Sequence, residues 1–136
     1  MSTDDVALNK SAAIERCVGR VREVYAGNPA NLSDDLTRQD SIVLNLQRAC
    51  EAAIDLAMHL VRKHRLGIPQ DSRDAFDLLV AAGKLEAPLA ESLKRMVGFR
   101  NVAVHSYTRI DLAIVRAIIE RHADDLLRFS SAAIRA

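Results

Sequence analysis

Apolar residues recur along this chain in three- and four-residue steps, most plainly at Ile42, Leu46, Ala49, Ala53, Leu56 and Leu60. That spacing keeps one face of a helix apolar and predicts a helix over about residues 35–65. Val43, Ile54, Ala57 and Val61 widen the stripe, so this helix is expected to meet a partner chain as well as its own core. A helix over about residues 6–26 precedes it, with Ile14, Cys17, Val18, Val21, Val24 and Tyr25 on one face. The run GNPANLSDD separates the two and offers Ser33, Asp34 and Asp35 to start the second. After GIPQDS, Ser72 is expected to cap a short helix carrying Ala75, Phe76, Leu78 and Leu79, closed by Gly83. Pro88 suits the first position of a fourth helix through Leu89, Leu93, Met96 and Val97. Asp111 caps a fifth, with Val115, Ile118, Ile119, Leu126 and Phe129 facing inward. No alternating run bounded by turn dipeptides marks a strand. The pattern predicts an all-α, up-and-down bundle of four to five helices, with residues 1–136 forming a single domain.

Composition narrows what such a bundle can do. No apolar run approaches the roughly 20 residues of a membrane span, and MSTDDVALNK resembles no signal peptide, so a cytoplasmic protein with no membrane partner is expected. Cys17 and Cys50 sit inside helical patterns without metal-ligand spacing and are expected to be buried free thiols. The net charge of +1 rules out polycation-style attraction to nucleic acid, so binding of that kind must use a local cluster. Arginine supplies fifteen of the 19 basic residues, which suits bidentate contacts to phosphate.

The chemically dense stretch is GFRNVAVHSY, residues 98–107. At about 100° per residue, Leu93, Met96, Val97, Ala103 and Val104 share an apolar stripe, and Arg100 and Tyr107 fall near its centre. A guanidinium drawn toward a core costs several kcal/mol unless it is paired. Its anion is either Glu51 or Asp55 of the second helix, or a negatively charged ligand. His105 lies about 140° from Arg100 on an ideal helix, whereas Asn101 and His105 share a face. Convergence of Arg100 and His105 therefore needs either distortion between Val102 and His105 or a second subunit. Taken singly, His105 also fits a helix C-terminal dipole partner, and Tyr107 a core ring with its hydroxyl at the surface. Arg48, Glu51, Asp55, His59 and Arg62 form a polar stripe on the second helix, read as a solvated or interhelical ion-pair stripe rather than a metal site. His122 reads as a hydrogen-bonded core histidine and His64 as a dipole complement at the end of the second helix.

RNVAVHSY has the form R-x4-H-x-Y and resembles the signature of HEPN-domain proteins, specifically HepT-type toxins encoded beside a nucleotidyltransferase. The likeness extends through LQRACEAAIDLAMHLVRKHRLGIPQDSRDAFDLLVAAGKL and LKRMVGFRNVAVHSYTRID and covers about residues 6–130. The resemblance implies a HEPN-like bundle acting as a homodimeric, metal-independent RNA endonuclease, the toxin of a type VII-like toxin–antitoxin system. It implies His105 as general base or acid, Arg100 as a clamp on the scissile phosphate, and Asn101 as an accessory group; from the polar stripe of the second helix, Glu51 and Asp55 are added as acids placed to orient Arg100 or His105. It also implies that the nucleotidyltransferase antitoxin silences the toxin by transferring AMP to Tyr107. RNA is then the substrate; no DNA, metal or cofactor is expected. A second reading makes the chain a non-catalytic HEPN partner that docks nucleotide or substrate for the nucleotidyltransferase. The low net charge and few aromatic rings for base stacking lean that way. A third is a purely structural dimerising bundle, with Arg100 paired internally.

Overall fold

A computed structural model describes residues 4–135, and among these residues all regular structure is helical. The long helices are α1 (Asp5–Tyr25), α3 (Leu36–Lys63), α4 (Ser72–Ala81), α5 (Ala87–His105) and α7 (Ala123–Arg135). Two short ones, α2 (Ala30–Ser33) and α6 (Leu112–Ala117), complete the set. The helices start where short acceptors meet orphan backbone N–H groups. Asp35 accepts from the Arg38 N–H at 3.1 Å, and Asp111 from the Ala113 N–H at 2.9 Å. For α4 the cap is Asp71, which accepts from the Asp74 N–H at 2.8 Å, and Ser72 is the first helical residue rather than the cap. Gly83, at φ +71°, closes α4, and the Lys84 N–H returns to the Leu79 carbonyl at 2.9 Å. Pro88 occupies the first turn of α5, one place beyond the expected first position.

Helix α3 is the hub, with α1, α4, α5 and α7 packed around it. All ten apolar residues of its broad stripe, from Ile42 to Val61, are buried within this one chain. The width of the stripe is therefore used up by intrachain neighbours on several sides, and it is no longer an argument for a partner chain. Phe76 of α4 and Phe129 of α7 meet edge to face at 5.6 Å between ring centres. Both cysteines are buried and free.

Two local features depart from the sequence reading. GNPANLSDD contains the single helical turn α2, whose Leu32 is buried. The expected fifth helix runs from α6 into α7 through a π segment, Ile118–His122. Ile118 and Ile119 of that segment remain buried, so the extra residue per turn keeps the apolar face inward. Among the described residues, no helix is long and apolar enough to cross a membrane.

Candidate functional site

The motif occupies the last two turns of α5 and the turn that follows. The helix stays regular to His105, and Ser106 ends it at φ −149°, ψ 54°. A 3-10 turn, Tyr107–Arg109, follows, held by the Arg109 N–H on the Ser106 carbonyl at 2.8 Å. The distortion offered for Val102–His105 is thus absent; it begins one residue later. Arg100 and His105 remain about 140° apart on an unbroken helix. Burial on α5 falls at Ala90, Leu93, Met96, Val97, Phe99 and Ala103. Phe99, not Val104, extends the stripe, and Val104 is exposed.

Arg100 is half-buried, and its Nε is fully enclosed without a hydrogen-bond partner among the described residues. It lies beside Cys50, whose thiol is pushed up to about 12 by burial while the Arg100 charge pulls the other way. Neither candidate acid pairs with it. Asp55 is exposed and takes Lys10 of α1 at 3.0 Å. Glu51 accepts from Gln47 Nε2 at 3.3 Å on its own helix. An enclosed donor left unsatisfied costs about 1–3 kcal/mol, so this guanidinium occupies a place that packing alone would not give it.

Asn101 is half-buried and His105 exposed, and neither side chain has a hydrogen bond among the described residues. Tyr107, also exposed, projects from the 3-10 turn, and its hydroxyl donates to Asp40 Oδ1 of α3 at 2.5 Å. Desolvation and the neighbouring carboxylate push the phenol up to about 12. Asp40 escaped the sequence reading because it stands 67 positions from Tyr107 and belongs to no motif. A shallow cavity of about 330 Å³ opens beside this pair, lined by Gln39, Val43, Tyr107, Thr108, Ile110 and Leu112. A second, largely apolar groove of about 410 Å³ runs past Phe99, Val102, Ile110 and Ile114, with Arg95 and Arg109 on its wall.

The other ionisable candidates belong to structural contacts. His59 Nε2 lies 2.9 Å from both oxygens of Asp4, and Lys63 Nζ lies 2.9 Å from Asp4 Oδ2. The backbone N–H of Ala7 and these two bases hold the Asp4 carboxyl well below the usual carboxylate range. His64 ends α3 with its Nε2 enclosed and unpartnered, and burial lowers its pKa. The core placement of His122 is corrected: it is half-exposed at a surface groove, with Nδ1 3.4 Å from Asp125. Among the described residues, no three His, Cys, Asp or Glu side chains group closely enough to hold a metal ion.

The family described as ribonuclease HepT-like matches residues 14–133. An mRNA nuclease HepT from Shewanella oneidensis is 47% identical over 126 residues, covering 93% of this chain and 94% of its own. A solved tri-AMPylated HEPN toxin from Shewanella oneidensis, in complex with an MNT antitoxin, is similar with a TM-score of 0.89. It is 45% identical, with 96% of this chain and 97% of that chain covered. A toxin–antitoxin complex solved with AMP-PNP is similar with a TM-score of 0.90 and 45% identity, covering 95% of this chain and 97% of that one.

Proposed function

This chain belongs to the ribonuclease HepT-like family, and we propose that it is a metal-independent RNA endonuclease toxin held in check by a nucleotidyltransferase antitoxin. The single observation that carries the reading is Arg100, whose enclosed Nε has no partner among the described residues. A phosphate oxygen supplies the missing acceptor, and the planar guanidinium fork suits a phosphodiester. Residues 1–136 act as one helical domain in this reading, in the cytoplasm, with neither membrane nor DNA as partner.

Cleavage by attack of the RNA 2′-hydroxyl requires a proton acceptor, a proton donor and relief of charge on the phosphorane. His105 supplies the first or second of these, since imidazole titrates nearest neutrality. Arg100 supplies the third, and Asn101, on the face of α5 that carries His105, orients the ring or donates to a non-bridging oxygen. Because Arg100 and His105 diverge on a regular helix, two copies of the chain build the cleft, the imidazole of one serving phosphate held by the other. Tyr107 is the acceptor for AMP. The part-exposed side chain borders the cavity of about 330 Å³, where an antitoxin-bound nucleotide can meet it, and adenylyl phosphates placed there compete with RNA for Arg100.

Purified dimer should cut RNA in excess EDTA, and His105→Ala should lower the rate by about 100- to 10,000-fold with the fold intact. Unchanged cleavage in that variant removes His105 from the chemistry. An inert wild-type chain that still binds the nucleotidyltransferase would instead favour the docking-module reading.

A further inference from the structure

The contact between Tyr107 and Asp40 has a chemical direction. The phenolic O–H donates to a carboxylate that makes no ion pair among the described residues, so no cation competes with the hydroxyl proton for Asp40. Tyr107 stands on a 3-10 turn and Asp40 near the start of α3, so the geometry is set by two separate backbone elements. The cavity of about 330 Å³ beside them leaves room for an adenylyl group next to the hydroxyl. We propose that Asp40 is the general base of Tyr107 modification: it holds the phenol in its attacking position and takes its proton as the nucleotide is transferred.

This proposal rests on the reading of Tyr107 as the AMP acceptor. In the step, Tyr107 Oη forms a bond to the α-phosphorus of ATP. The α–β anhydride bond breaks, and pyrophosphate leaves with that electron pair. The phenolic proton passes to Asp40, so charge and atoms balance without any further reactant. Proton removal matters here because a phenol is a poor nucleophile until its proton departs, and a positioned carboxylate removes it during the attack. Once the aryl phosphodiester has formed, Tyr107 has no proton to give. Asp40, now protonated, can donate to the new phosphate instead of repelling it.

The test uses this chain with its nucleotidyltransferase and magnesium ATP, following the first AMP by intact mass and mapping it by peptide. If wild type gains AMP on Tyr107, Asp40→Asn should slow that first transfer about 100-fold in kcat, with KM for ATP unchanged. Its residual rate should climb nearly tenfold per pH step from about pH 7 to about pH 9, as hydroxide replaces the carboxylate, while wild type stays flatter. Asp40→Glu should recover much of the loss, which a merely structural role would not allow. Asp40→Ser gives a second measurement should the Asn variant fold poorly by circular dichroism. A wild-type rate and pH profile in both neutral variants, or a loss confined to KM, overturns the proposal. Wild type that takes no AMP at Tyr107 overturns the acceptor reading itself, whatever the Asp40 variants do, and the proposal with it.

Discussion

His59 and His105 each stand near the C-terminal end of a helix, and their surroundings could hardly differ more. His59 is about one-fifth exposed, clasped by both oxygens of Asp4, and the same carboxylate takes Lys63. His105 is exposed and unbonded among the described residues, and Arg100, five positions earlier on the same helix, keeps an enclosed Nε with no acceptor there. The Asp4 cluster converts charge into fold: Asp4 also caps α1 through the Ala7 N–H at 3.0 Å, tying the start of one helix to the end of another. The motif does the reverse, keeping charge unsatisfied at a cost in stability. Two enclosed side-chain nitrogens are left open among the described residues, His64 Nε2 and Arg100 Nε; the second lies in the motif, where a ligand completes the bonding in the proposed function.

The sharpest way to break the comparison is to substitute both clusters by shape. Arg100→Met keeps most of the volume and removes the unsatisfied donor. It should lower RNA cleavage by about 100- to 1000-fold while raising stability by about 1 kcal/mol, a rise of roughly 3 °C in melting temperature. A variant that loses stability along with activity would show that Arg100 is bonded in solution and serves the fold, as Asp4 does.

The converse substitution should give the mirror result. Asp4→Ala removes a helix cap and the shared partner of His59 and Lys63, and should cost about 1–2 kcal/mol, seen as a melting temperature lower by roughly 3–8 °C. Cleavage at a temperature where both proteins are folded should be unchanged. The pH dependence follows from the depressed Asp4 carboxyl. Its folded pKa lies below the unfolded value of about 3.9. The contribution is therefore complete above that value and fades as the pH falls toward the folded pKa. Wild type should accordingly lose more stability than Asp4→Ala between about pH 5 and about pH 2. Parallel acid curves for the two proteins would remove Asp4 from the account.

The legibility of the two regions differs for the same physical reason. Periodicity and caps are local, so α1, α3 and α5 and the caps Asp35 and Asp111 could be read from neighbours in sequence. At α4 two adjacent polar residues competed for one cap, and only the extended backbone of Asp71 settles the choice. The single turn α2 is too short to show a period. A stripe counted at ideal spacing admitted Val104 and passed over Phe99, because nothing local says where the core ends. The motif residues stood out as misplaced polar groups, yet their partners did not. Asp4 with His59, and Asp40 with Tyr107, are contacts across 55 and 67 positions that no spacing rule anticipates.

The smallest effect bears on the acids named as helpers of the motif. Asp55 spends its charge on Lys10, an exposed pair with side chains 38% and 57% accessible on the Lys and Asp sides. Such pairs contribute about 0–1 kcal/mol, so Asp55→Asn should shift stability by no more than that and leave cleavage unchanged. Glu51 is the better placed of the two: it is half-buried and its charge bears on the same Cys50 thiol that Arg100 faces. Glu51→Gln should therefore alter the cleavage rate by a few-fold, about 1 kcal/mol or less of barrier, while Asp55→Asn does not. Should Asp55→Asn prove the more damaging, the Lys10 pair must open when RNA binds. The motif would then draw on the α1 face of the hub helix, and the contrast between the paired Asp4 cluster and the open motif would have to be redrawn.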